Sequence, residues 1–106
     1  MTAPSYITDD APATVQDAYR RHCQQKQLPA VTVTARKGRY YLVVLDMAPT
    51  GRTLNAVGQQ VISQLAFRLG SVTPTHEGIK AYSLHTAQTL AQRLASIGKD
   101  RRFWSR

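Results

Sequence analysis

Two β-forming runs lie back to back in the middle of this chain, and they constrain its fold more than any other feature. Ala30 to Arg36 alternates apolar and small polar residues, and Arg39 to Leu45 is rich in β-branched and aromatic ones. Lys37-Gly38 between them suits a two-residue hairpin turn. With Arg36 and Arg39 flanking that turn, Ala35 is expected opposite Tyr40, Thr34 opposite Tyr41, Val33 opposite Leu42, Thr32 opposite Val43 and Val31 opposite Val44. One face then holds Val31, Val33, Ala35, Tyr40, Leu42 and Val44, a core face. The other holds Thr32, Thr34, Arg36, Arg39, Tyr41 and Val43. A slip of one residue would exchange the two sets.

Helical patterns flank the hairpin. Pro12 to Gln27 places Val15, Ala18, Tyr19, His22 and Cys23 on one side, with Asp10 as the expected N-cap and Leu28-Pro29 as the stop. Leu54 to Leu69 carries a stripe of Leu54, Val57, Val61, Leu65 and Leu69, between an N-cap at Thr53 and a C-cap at Gly70. Ser71 to Thr75 reads as a short strand broken by Pro74, and His76-Glu77-Gly78 as a turn. Ile79 to Leu84 reads as a further strand. A last helix runs from His85 or Thr86 to Ile97, closed by Gly98. The expected fold is therefore α+β: a small two-layer domain, order α-β-β-α-(β)-β-α, with an antiparallel sheet. Residues 1–11 read as a flexible N-terminal lead, 12–98 as the single domain, and 99–106 as a basic aromatic tail.

Composition narrows the function classes. A chain of 106 residues, 42% hydrophobic and 19% charged, is an ordinary folded domain. A single cysteine excludes a disulfide framework and a Cys-rich zinc module. The longest apolar run, Tyr40 to Leu45, falls far short of the ~20 residues of a membrane span. The first residues show neither the basic nor the apolar segment of a secretory signal. A lone thiol fits a reducing compartment, so a cytoplasmic location is expected.

Catalytic and metal signatures are weak. His22 and Cys23 are adjacent on a helix and point about 100° apart, so they cannot pair. Cys23 reads instead as a buried, inert thiol. His76 and His85 fit turn and cap positions, and the three histidines show no i,i+4 spacing. Asp46 and Glu77 are the only acids in the folded middle, and no pair of acids stands where general acid–base work would be expected. The loop Ala48-Pro-Thr-Gly-Arg-Thr53 precedes a helix but lacks the first glycine and the lysine of a nucleotide-binding loop. At most it offers Arg52 and one backbone contact to a phosphate. No enzyme activity, metal or cofactor is expected.

Charge is the remaining signal. The formal net charge is +8, and all 14 Lys and Arg lie beyond Ala18, accompanied there only by Asp46, Glu77 and Asp100. A surface tuned for solubility would mix both signs. The cations form three groups: Arg20, Arg21 and Lys26 on the first helix; Arg36, Lys37 and Arg39 at the hairpin tip; and Lys99, Arg101, Arg102 and Arg106 in the tail. Cations release condensed counterions from phosphates, and aromatic faces stack bases. Tyr41 on the hairpin face, joined by Lys80 and Tyr82, would supply the ring if that face is open. If a helix covers it, Tyr41 becomes a core aromatic.

The expected function is a non-enzymatic basic domain that contacts RNA or single-stranded DNA through Arg20, Arg21, Lys26, Arg36, Lys37, Arg39, Tyr41 and Arg52. The alternative is a small accessory subunit that docks on an acidic protein through the hairpin tip or through Arg101, Arg102, Phe103 and Trp104. Phe103 and Trp104 could equally tuck into the domain. Pairing of an exposed sheet edge across a two-fold axis would give a homodimer.

Overall fold

A computed structural model describes residues 5–105 of the chain. Its elements are β1 (Ile7–Thr8), α1 (Ala13–Lys26), β2 (Ala30–Arg36), β3 (Tyr40–Asp46), α2 (Ala56–Leu69), β4 (Val72–Pro74), β5 (Ile79–Ala81) and α3 (Leu84–Lys99). Single 3-10 turns occur at Ala48–Thr50 and Arg101–Phe103. The α+β class and the order of the main elements agree with the sequence pattern. The sheet has five strands in the order β1-β2-β3-β5-β4 and is mixed, not antiparallel throughout, because β1 runs parallel to β2.

The flexible lead is corrected for its described part. Ile7 pairs with Thr32 and Thr8 with Val33, so these residues form an edge strand. Ile7 is apolar and needs burial, and the Ala30 end of β2 supplies it. Residues 1–4 of the lead and Arg106 lie outside the described residues. Asp10 does not cap α1: its carboxylate takes the Thr8 hydroxyl, and Pro12 occupies the cap position without a side-chain bond.

The hairpin forms one residue out of the expected register. Lys37 and Gly38 both take positive φ (52° and 69°), and the Arg39 amide donates to the Arg36 carbonyl at 3.0 Å. Gly38 takes this conformation freely, whereas Lys37 adopts a left-handed backbone that lysine does not favour. Pairing resumes only at Tyr40, with Arg36 opposite Tyr40, Ala35 opposite Tyr41 and Val33 opposite Val43. Arg39 is the extra residue, and it exchanges the faces of β3. Val31, Val33, Tyr41, Val43 and Leu45 now share one side of the sheet, and Thr32, Thr34, Arg36, Tyr40, Leu42 and Val44 the other.

Helices lie on both sides, so the two-layer expectation is also corrected. Ala87, Leu90, Ala91 and Leu94 of α3 bury Val31, Val33, Val43 and Ala81, with Ile62, Leu65 and Leu69 of α2 packed against that core. On the opposite side, Tyr19 and Cys23 of α1 bury Ile7 and Ala30. Val15 and Ala18, expected on the buried side of α1, are exposed. The Tyr19 hydroxyl accepts the Val31 amide at 2.9 Å, while Asp9 Oδ1 accepts the Ala35 amide at 3.3 Å. Two-residue β1 leaves these β2 amides unpaired, and the two side chains satisfy them.

Helix ends differ from the sequence reading in instructive ways. The cap of α2 is Asn55, whose Oδ1 accepts the Gly58 amide at 2.8 Å, while Thr53 bonds Ser105. The β5 strand stops at Ala81 because Ser83 caps α3 through the Thr86 amide. Gly98 does not end α3; the helix continues to Lys99, and Gly98 lets it lie against Pro29 and Leu45. The tail folds back as part of the domain: Trp104 bridges Leu54, and its indole N–H donates to the Gly98 carbonyl at 2.7 Å. Among the described residues no helix is long and apolar enough to cross a membrane.

Candidate nucleic-acid interface

The register decides which rings and cations share a surface. Tyr41, expected as the stacking ring, lies on the side covered by α2 and α3 and packs half-buried against their core. Its neighbour Tyr40 takes its place on the other side, where α1 covers only the β1–β2 end. Leu42 pairs with Lys80 across β3 and β5, and Lys80 pairs with Thr73 across β5 and β4. Lys80 therefore also faces the less covered side, and its ammonium lies 4.6 Å from the centroid of the Tyr40 ring. Tyr82 follows: its hydroxyl is 2.9 Å from Thr73 Oγ1, and the residue is 55% exposed.

This side of the sheet thus carries Thr32, Thr34, Arg36, Tyr40, Lys80 and Tyr82 around Val44 and Leu42, the latter buried. The exposed Arg36, Lys37 and Arg39 form one end of it. At the other end Arg20 reaches from α1 toward the sheet, where it lines two shallow recesses together with Thr32. Acidic groups lie beside these cations. Asp9 and Asp46 stand at those recesses, and Asp17 lies 3.8 Å from an Arg20 nitrogen. Two exposed partners at that distance gain little from each other, so Arg20 keeps most of its reach for an external anion.

Other expected site residues stand elsewhere. Arg21 and Lys26 are exposed on α1. Arg52 is exposed, but the amides of its loop are already occupied. Its own N–H donates to Thr50 Oγ1 at 3.0 Å, and the Gly51 amide donates to the Ala48 carbonyl at 3.0 Å. The anion-loop geometry is therefore absent there, and only the Arg52 guanidinium remains.

The tail cations do not join the hairpin. Gly98 packs beside Pro29, at the start of β2, whereas Arg36 ends that strand. Seven residues of strand separate the two groups, about 20 Å. Arg102 is also committed: it forks onto Asp100 at 2.7 to 3.2 Å and holds that carboxyl below its usual range. Phe103 and Trp104 are half-buried, with Arg102 and Arg101 each 5.6 Å from their ring centroids. Of the two readings of these rings, the tail anchored on its own domain is the one observed.

Sequence reasoning missed Tyr40 because it lay on the presumed core face. Its signal is the second β-rich run itself, apolar or aromatic at every position from Tyr40 to Leu45, which is compatible with either register. Cys23 is buried against α1's own core, and burial pushes its thiol pKa up, away from the reactive thiolate. His76 and His85 are exposed, and no group of three or more His, Cys, Asp or Glu could hold a metal among the described residues. No family model, curated protein or solved structure matches this chain.

Proposed function

We propose that this protein is a binding domain for RNA or single-stranded DNA, without chemistry of its own. It would use the less covered side of the sheet and the adjoining hairpin tip. The observation that carries the reading is the clustering of Lys80, Tyr40 and Tyr82 on one sheet surface with Arg36 beside them. In this reading Arg20, Arg36, Lys37, Arg39 and Lys80 hold backbone phosphates, and Tyr82 and the edge of Tyr40 receive bases. Threonines 32 and 34 add short hydroxyl donors to the same surface.

Single strands suit such a surface better than duplexes, because only unpaired bases can lay a face on a tyrosine. Among the described residues no helix presents its cations in the pattern of a major-groove reader. Each phosphate held on a single strand contributes about −0.7 to the slope of log affinity against log salt. Three to five contacts therefore predict a slope of about −2 to −3.5.

Anisotropy of labelled single-stranded RNA and DNA across a salt series tests the proposal. Binding with that slope, and preference over polyglutamate of similar charge, is the expected result. No oligonucleotide binding at low salt overturns it. Equal binding of polyglutamate would favour an acidic protein partner at the same hairpin tip.

A further inference from the structure

The feature that this reading leaves unused is the outer side of α2. The helix carries no acidic residue and one cation, Arg68, in a chain of net charge +8. Phe67 projects from it 87% exposed and Val57 58% exposed, the two largest such values among the exposed large hydrophobic residues. Phe67 stands between two recesses. One, about 420 Å³, runs along Ser63, Ala66 and Gly70 to Val72 and Pro74 of β4. The other, about 330 Å³, is bordered by Gln60, Gln64 and Arg68.

We propose that this protein pairs with a second copy of itself through this side of α2. A protruding ring beside an apolar recess on one surface is self-complementary under a two-fold axis. Phe67 of each copy then fills the recess along Ser63, Ala66 and Gly70 of the other. Charge selects the occupant. Two copies at +8 repel through their cationic faces and approach at least cost where charge is sparse, on α2. An acidic partner is drawn to the hairpin instead, and a basic partner finds no carboxylate on this helix.

The sheet edges do not offer an alternative route. The edge at β1 is two residues long, with the flanking β2 amides taken by Tyr19 and Asp9, and β4 is three residues ending in Pro74. An ordinary interface hides about 800 Å² per partner, about a ninth of this chain's 7077 Å² surface. An interface on the 14-residue α2, about 21 Å long, would need the flank of β4 as well to reach that area.

Sedimentation equilibrium of the full chain, at concentrations up to about 1 mM, tests the proposal. The expected result is a monomer–dimer equilibrium that holds or tightens as salt rises, opposite in sign to oligonucleotide binding. Phe67→Asp should weaken it about tenfold or more, because two buried rings are lost per dimer. Circular dichroism and thermal midpoint should not change, since Phe67 touches little of its own chain. A wild type that stays monomeric throughout, or a dimer that Phe67→Asp leaves intact, overturns the proposal. Either result leaves the oligonucleotide reading untouched.

Discussion

The Lys80 ammonium lies 4.6 Å from the centre of the Tyr40 ring, and the two residues come from neighbouring strands, β5 and β3. That contact joins a cation and an aromatic face on the side of the sheet that α1 leaves partly uncovered. It also separates two contributions to binding that can be measured apart. Replacement of Lys80 by Ala should flatten the salt dependence of oligonucleotide affinity by about 0.7 in slope. Replacement of Tyr82 by Ala should lower affinity by about 1–3 kcal/mol with the slope unchanged. Anisotropy titrations at several salt concentrations separate the two effects, and identical responses from both variants would contradict the assignment.

Tyr41 should behave as a core residue. It packs against the cluster formed with α3, so Tyr41→Ala is expected to cost on the order of 2 kcal/mol in urea unfolding. Below the unfolding transition, oligonucleotide affinity should match the wild type. Loss of affinity without loss of stability would restore the other hairpin register.

Tyr19 closes the edge of β2 through one hydroxyl. Tyr19→Phe keeps the ring but leaves the Val31 amide without its acceptor, at a cost of about 1–3 kcal/mol. Chemical denaturation measures this directly. Amide exchange at Val31 should rise more than at Val33, whose environment is unchanged.

The same phenol makes the fold sensitive to alkali. Burial raises the Tyr19 pKa from 10.0 to about 12, so the folded chain keeps a proton that the unfolded chain gives up earlier. The unfolded state therefore binds fewer protons between these values, and stability falls as pH rises. The contribution is complete below pH 10 and is lost on passing through about 12. Thermal midpoints followed across this window should decline more steeply in the wild type than in Tyr19→Phe. Parallel curves would refute the assignment.

Gly98 marks the closest approach of α3 to the start of the sheet. A Cβ there would stand 2.9 Å from both Pro29 Cγ and Leu45 Cδ1. An Ala at a helical Gly normally stabilises by about 0.5–1 kcal/mol, but the rigid Pro29 ring cannot yield as a flexible side chain would. Gly98→Ala is thus expected to destabilise by about 1–3 kcal/mol. A raised thermal midpoint would show that the helix can shift.

Much of this molecule is legible without coordinates. Capping glycine, apolar spacing and β-branched runs define three helices and the central hairpin, because these are short-range effects of dihedral preference and periodic burial. The position of the Lys37-Gly38 turn follows from the same local chemistry. Which face of the hairpin is buried does not. From Tyr40 to Leu45 every residue can be buried, so local pattern permits both registers. The choice comes from α3, whose Leu90 and Leu94 require Val31, Val33 and Val43 together on one side.

Long-range contacts explain the other differences as well. Ile7–Thr8 is too short to announce itself as a strand and exists only because β2 offers it an edge. The tail cannot be told from a mobile one until Gly98, Leu54 and Asn55 supply its partners. Charge, composition and element type are properties of the chain read in order. The surface shared by Lys80, Tyr40 and Arg36 is a property of packing, because residues 36 and 80 become neighbours only when β3 lies between their strands.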